Sequence, residues 1–283
     1  MDPSEGWFGG IRGARLYYQR WRRASTPTRG VLVMVHGDWA HSGWYMNLPL
    51  HETPRGYAVY AYDRRGWGRS LPESGYPRSW SDHLDDLAAF LALVHAEEPE
   101  RPLFLIGHTG SAPLVLDYAM RRPDEIRGVC CVSPALDTSA AIPGALRMLL
   151  RVLSVVAPRL TIDVRRRVDA GMASISHDAA FVQAAREDPL RNTRVLPRLL
   201  VVADPVTERV LAQAPQFQTP LLLLLGGADR MLPSAASQAY FERVGPSDKE
   251  LRVYPGAYTN LLSETVTPEV LGDLDRWLDR HVI

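Results

Sequence analysis

The sequence predicts a mostly parallel β-sheet covered by helices on both faces, with a helical insertion late in the chain. Short apolar runs alternate with amphipathic segments of helix length, the pattern of this fold class. The alternation stops from about residue 136 to residue 217 and then resumes. The 283 residues suffice for one large domain. We therefore expect a core formed by residues 1–135 and 218–283 and a helical cap formed by residues 136–217.

The strands are the clearest predicted elements. Residues 15–21 (RLYYQRW) alternate as an early strand does, whereas the later runs are apolar throughout, as in strands buried on both faces. These later runs are residues 31–35, 57–62, 103–106, 129–132 and 221–225, and a last strand is expected at 251–254.

Helices are predicted between the strands. Residues 79–95 carry apolar side chains at helical spacing, and another helix should begin at about Ser111. After the insertion we expect helices at residues 234–244 and 268–281. The cap should be helical throughout, and its very apolar segment 142–157 should pack mainly on the core.

Composition excludes several classes of protein. Lys+Arg and Asp+Glu are 32 each, so no basic surface for nucleic acid is expected. The longest strongly apolar runs are too short for a membrane span, and no signal peptide is visible. The adjacent Cys130 and Cys131 are too close for an ordinary disulfide. We expect a soluble, reduced, cytoplasmic protein; because Lys249 is its only lysine, arginine usage indicates a GC-rich, bacterial genome.

The chemistry is predicted at a sharp turn after the strand 103–106. There Gly107-His108-Thr109-Gly110-Ser111 leads directly into a helix, which is the layout of a nucleophile elbow. The sequence has no metal cluster, phosphate loop or dinucleotide fingerprint, so we expect no metal and no cofactor.

Four motifs in order resemble those of α/β-hydrolases of the monoacylglycerol lipase and lysophospholipase branch, over nearly the whole chain. Besides the elbow, these are HGDWAHSGWY at 36–45, YDRRGWGRS at 62–70, GGADR at 226–230 and YPGAYTNLL at 254–262. The resemblance implies an α/β-hydrolase fold with an eight-stranded sheet. It also implies that Asp229 is the triad acid and that the amides of Asp38 and Gly110 form the oxyanion hole.

This sequence departs from the family pattern at two triad positions. Thr109 stands where the family has serine, and Thr259 stands where it has histidine. The hydrolase mechanism needs an imidazole to take the proton of the nucleophile, and a hydroxyl without a base is a poor nucleophile. A β-branched Thr109 at a strained elbow also costs about 1–3 kcal/mol. Ordinary ester hydrolysis is therefore not expected.

The remaining polar residues have alternative interpretations. Asp229 is either a loop anchor, bonded to backbone amides or Arg230, or a general base with a raised pKa. Asp38 either faces solvent or faces the pocket, where it would repel an oxyanion and suit proton transfer. His41 and His108 flank the site as structural or as catalytic residues.

Three functions from different classes follow. The main hypothesis is non-hydrolytic acid–base chemistry (elimination, cyclisation or isomerisation) on a hydrophobic small molecule, plausible in bacterial specialised metabolism. Alternatives are a noncatalytic binding or regulatory protein, and a slow esterase that uses Thr109. Trp39, His41, Trp44 and Gly110 are the expected substrate-binding residues, since an apolar cap segment and two tryptophans indicate an apolar pocket.

Overall fold

The computed structural model describes residues 2–23, 27–71, 76–137, 142–245 and 247–282. An eight-stranded sheet forms the centre of the molecule. Its strands are β1 (Asp2–Gly9), β2 (Arg15–Arg22), β3 (Gly30–Val35), β4 (Tyr57–Tyr62), β5 (Leu103–His108), β6 (Gly128–Val132), β9 (Leu221–Gly226) and β10 (Lys249–Tyr254). Their order in the sheet is β1-β2-β4-β3-β5-β6-β9-β10. A separate pair consists of β7 (Ile162–Asp163) and β8 (Arg194–Val195).

The sheet is parallel except at one side. β1 pairs antiparallel with β2, and β2 pairs antiparallel with β4. All other pairs of the large sheet are parallel. The carboxyl ends of the parallel strands therefore lie at one edge, where the loops after β3, β5, β9 and β10 can meet. The predicted sheet is confirmed.

Helices cover both faces of the sheet. They are α1 (Asn47–Glu52), α2 (Trp80–Glu97), α3 (Ala112–Arg121), α4 (Gly144–Val156), α5 (Arg165–Met172), α6 (Ala179–Glu187), α7 (Asp204–Ala212), α8 (Ala235–Arg243) and α9 (Thr267–His281). Alternate residues of β3 enter two cores: Val33 packs with side chains of α2 and α3, and Leu32 packs with those of α1 and α9. Burial on both faces explains why the strand is apolar throughout. No helix within the described residues is long and apolar enough to cross a membrane.

Two elements of the core were not predicted. β1 contains one proline and two glycines, yet it pairs along its whole length with β2, for example Trp7 with Tyr17. An edge strand tolerates such residues because only one of its sides joins the sheet. α1 has six residues, too few for a helical period to be visible in the sequence.

Two expectations for residues 136–217 were wrong in detail. The segment is not entirely helical, because β7 and β8 form a short antiparallel pair. Nor does α4 pack mainly on the core: Leu150 is buried, but Val155 and Val156 are 78% and 70% exposed. The hydrophobic period of α4 indicates a helix, but it does not reveal what covers the apolar face.

Candidate active site

Thr109 lies at a strained turn between β5 and α3. Its φ is 47°, in the left-handed region that a β-branched residue rarely adopts. The Ser111 hydroxyl stabilises this turn by donating to the carbonyl of Val35 on the neighbouring strand (2.6 Å) and accepting from the amide of His108 (2.9 Å). The Thr109 hydroxyl is directed at the loop after β3, since a Cβ placed on Gly37 would lie 2.1 Å from it.

Asp229 and Thr259 meet beside this turn. The Thr259 hydroxyl donates to Oδ1 of Asp229 (2.7 Å), which also accepts from the amides of Met231 (2.8 Å) and Leu232 (2.9 Å). The other oxygen, Oδ2, is buried without a hydrogen-bond partner among the described residues. Burial raises the pKa of Asp229 above its ordinary value, against the opposing effect of these hydrogen bonds. Asp229 is thus bonded to backbone amides, as a loop anchor would be, and its pKa is raised; its role as a general base stays a prediction.

His108 bridges two loops within the protein interior. The carbonyl of Thr259 can only accept, so Nε2 of His108 carries the proton for this 3.3 Å contact. Nδ1 then accepts from the Tyr45 hydroxyl (2.8 Å), which itself accepts from the amide of Gly37 (2.9 Å). Burial lowers the pKa of His108 to about 4. His108 is therefore a neutral, fully bonded side chain at neutral pH.

Asp38 lies over the elbow and is also half-exposed. A Cβ on Gly110 would lie 2.0 Å from its Oδ2, so the carboxylate rests directly on that glycine. Its Oδ1 accepts from Nη2 of Arg64 (2.6 Å), whose side chain is 3% exposed against 46% for Asp38. Asp38 is thus half-exposed, as one expectation has it, and it also lies against the elbow; whether it faces substrate stays a prediction.

His41 and Trp44 connect the loop after β3 to the segment 136–217. The amide of Gly43 donates to Nδ1 of His41 (3.1 Å), so Nε2 donates to Asp188 (2.7 Å). The Trp44 indole donates to the same carboxylate oxygen (2.7 Å). Burial raises the pKa of Asp188, but the hydrogen bonds from Trp44 and His41 outweigh it and leave that pKa below its ordinary value.

Trp39 lies in the same loop after β3, but its ring contact is with another loop. Its φ is 66°, and its ring packs edge-on against Trp67 at 5.2 Å. A role of Trp39, His41 and Trp44 in binding substrate stays a prediction.

A possible metal-binding group lies away from the elbow. His51, Glu52 and Asp275 have ligand atoms within 4.8 Å of one another, between α1 and α9. Burial and the charge of Asp275 raise the pKa of Glu52 to about 9. Arg55 already places its guanidinium 2.9 Å from Asp275 and 3.7 Å from Glu52, so a cation is present in this cluster without a metal.

Two residues of the site were not singled out by the sequence. Tyr45 orients His108, and Arg64 holds Asp38. Both belong to the quoted motifs, HGDWAHSGWY and YDRRGWGRS, but neither side chain is chemically distinctive in a sequence. A signal was available for Arg64, because a buried arginine after a strand requires an acidic partner.

Comparison with known proteins gives consistent matches over most of the chain. Residues 26–266 match the sequence profile of the Hydrolase_4 family, described as serine aminopeptidase, S33. The chain is 30% identical over 284 residues to a monoacylglycerol lipase of Mycolicibacterium smegmatis, covering 99% of this chain and 98% of that protein. It is 27% identical over 276 residues to a monoglyceride lipase of Rattus norvegicus, covering 95% and 88% of the two chains.

Solved structures of monoacylglycerol lipases are similar to this chain as well. The monoacylglycerol lipase of Paleococcus ferrophilus superposes with a TM-score of 0.82 at 30% identity, covering 94% of this chain and 99% of that one. A soluble variant of the monoglyceride lipase of Saccharomyces cerevisiae, in complex with a substrate analog, gives a TM-score of 0.85. At 23% identity, with 99% and 96% of the chains covered, that second match supports the fold alone.

Proposed function

This chain belongs to the Hydrolase_4 family of α/β-hydrolases, and we propose that it is a slow acyl-ester hydrolase of the monoacylglycerol lipase type that uses Thr109 as its nucleophile. The observation that carries the proposal is the φ of 47° at Thr109, between a strand end and a helix start. A backbone strained in this way presents the elbow side chain at the edge of the sheet. Thr109 has the hydroxyl that acyl transfer needs.

The proposed substrate is an ester with a single long acyl chain, such as a monoacylglycerol. Support comes from relatives named as monoacylglycerol lipases that span nearly the whole chain. The exposed apolar side chains of α4, among them Leu149, Val155 and Val156, also fit an amphiphilic substrate better than a sugar or nucleotide. We further propose that residues 136–217 act as a cap over the elbow. Asp188 attaches this cap to the loop after β3 through His41 and Trp44.

In this proposal the triad serine and histidine are replaced by Thr109 and Thr259. Thr109 attacks the ester carbonyl, the alcohol leaves, and water then hydrolyses the threonyl ester. His108 is neutral with both ring nitrogens bonded, so it does not serve as the base. Hydroxide or water must take the Thr109 proton, which costs about 10²–10⁴-fold in rate relative to a positioned general base.

Non-hydrolytic acid–base chemistry is the second candidate, favoured by one observation. Two carboxylates, Asp38 and Asp229, flank the elbow, and the pKa of Asp229 is raised by burial. Such groups suit an elimination, cyclisation or isomerisation that forms no acyl intermediate. Thr109 would then be dispensable and Asp229 would not.

The test is release of decanoate from 1-decanoylglycerol, followed by mass spectrometry. We expect slow release by the wild type, loss of release in Thr109→Ala and retention in Thr109→Ser. Full activity in Thr109→Ala would contradict the role of Thr109. Binding of the ester by the wild type with no release above the buffer rate would identify a noncatalytic binding protein instead.

A further inference from the structure

The Asp38 carboxylate lies against Gly110, the residue after Thr109 at the elbow. In acyl-ester hydrolysis the amide of the residue after the nucleophile, here Gly110, donates to the oxygen that gains charge. The Asp38 carboxylate rests on Gly110, so closely that a Cβ there would lie 2.0 Å from Oδ2. A carboxylate at this point disfavours a second anion by Coulomb repulsion.

Arg64 pairs with this carboxylate through only part of its guanidinium group. Arg64 is buried, and Nη2 donates to Asp38 Oδ1 at 2.6 Å. Its Nε is buried with no hydrogen-bond partner among the residues that the structure describes. A guanidinium binds a carboxylate best through two parallel hydrogen bonds, and Asp38 is held by a single one. Arg64 therefore keeps binding capacity for an anion.

We propose that Arg64 and the elbow form an anion-binding position that the chain fills with its own Asp38, which thereby competes with the ligand. The class of ligand is a carboxylate at the end of an acyl chain, the product of the proposed hydrolysis, or the oxyanion that precedes it. Asp38 is 46% exposed on its side chain, so it can turn toward solvent when a ligand enters. The ligand class rests on the proposed function, whereas the occupied anion position does not.

The test is binding of decanoate to Asp38 variants by isothermal titration calorimetry. Asp38→Asn removes the charge while keeping the shape and an oxygen for Arg64, and Asp38→Ala also removes the bulk. We expect both variants to bind decanoate about tenfold more tightly than the wild type, or better, because one unit of like charge is removed at close range. Asp124→Asn, the same change at an exposed residue, should leave binding unchanged.

A second substitution assigns the effect to Arg64. The double variant Asp38→Asn with Arg64→Gln should lose the gain, since the anion no longer meets a guanidinium. Thermal unfolding checks that each variant is folded; if Asp38→Ala is not, Asp38→Asn decides. Equal binding by wild type and Asp38→Asn, or a gain that survives the Arg64→Gln change, would overturn the proposal.

The binding result also separates this inference from the proposed function. Binding of decanoate requires no turnover, so a gain in Asp38→Asn with no hydrolysis by any variant would support the anion position and reject the esterase. Where hydrolysis is observed, Asp38→Asn should release decanoate from 1-decanoylglycerol about tenfold faster, because the oxyanion no longer meets a carboxylate.

Discussion

At the scale of single residues, the site is organised by the hydrogen bonds of Asp229. Its Oδ1 accepts from the hydroxyl of Thr259 and from two backbone amides. The ring of His108 accepts a hydrogen bond from the Tyr45 hydroxyl and donates one to the backbone carbonyl of Thr259. The polar network thus joins the loops after β3, β5, β9 and β10.

Tyr45 offers a direct test of this network. Removing its hydroxyl in Tyr45→Phe leaves the buried amide of Gly37 without an acceptor and Nδ1 of His108 without a donor. We expect the free energy of unfolding to fall by about 1–3 kcal/mol, measured by urea denaturation.

Tyr62→Phe is the matched control. Tyr62 is as buried as Tyr45, but its hydroxyl has no hydrogen-bond partner among the described residues. Its removal should change the free energy of unfolding by less than about 1 kcal/mol, in either direction. Equal losses in the two variants would show that the bridge through Tyr45 contributes nothing specific.

At the scale of elements, many polar bonds join residues 136–217 to the rest of the molecule, and two sets of them attach close to the site. Asp188 accepts from His41 and from Trp44, both in the loop after β3. On the other side, the amide of Asn260, next to Thr259, donates to the carbonyl of Ile175 (2.8 Å). Both attachments therefore lie within a residue or two of the motifs that form the site.

Asp188→Ala should loosen this contact. It leaves the His41 and Trp44 donors unpaired, so we expect faster amide hydrogen exchange in residues 179–195 with little change in the β3–β5 strands. Glu187→Ala alters an exposed neighbour in the same segment and should leave exchange as in the wild type. Unchanged exchange in Asp188→Ala would remove Asp188 as an attachment point.

At the scale of the whole molecule, the strands of the sheet could be predicted from the sequence, but which helix faces are buried could not. The runs 31–35, 103–106 and 221–225 in β3, β5 and β9 are apolar on both faces, which occurs in few settings other than a buried parallel sheet. By contrast, the exposure of α4 depends on which neighbours reach it, and no local pattern encodes that. The same holds for the site: motifs located Thr109, Asp229 and Thr259, but the pairing of Asp38 with Arg64 is a tertiary contact.

Buried histidines should make the whole molecule sensitive to acid. Burial lowers the pKa of His83 to about 3 and of His108 to about 4, and it lowers that of His36 as well. Below about pH 6.5 the unfolded chain binds protons that the folded chain does not, so stability falls as the pH falls toward the folded-state values.

The midpoint of urea unfolding should therefore be lower at about pH 5 than at about pH 7.5. His83→Gln should reduce this loss by about 1.4 kcal/mol for each pH unit below about pH 6.5, the contribution of one proton. His95→Gln, on the same helix α2 but half-buried, serves as the comparison. A midpoint that does not change with pH would contradict neutral buried histidines.

The central claim is that Thr109 acts without an imidazole base, and the pH dependence of ester hydrolysis tests it most directly. The rate of decanoate release from 1-decanoylglycerol, corrected for the buffer reaction, is measured between about pH 6 and pH 9 for the wild type and for Thr109→Ser with Thr259→His. We expect the wild-type rate to rise about tenfold per pH unit, in proportion to hydroxide, and the double variant to level off above the pKa of its new histidine, at about pH 7. A wild-type rate that levels off near neutrality would reveal a general base in the site and contradict this account.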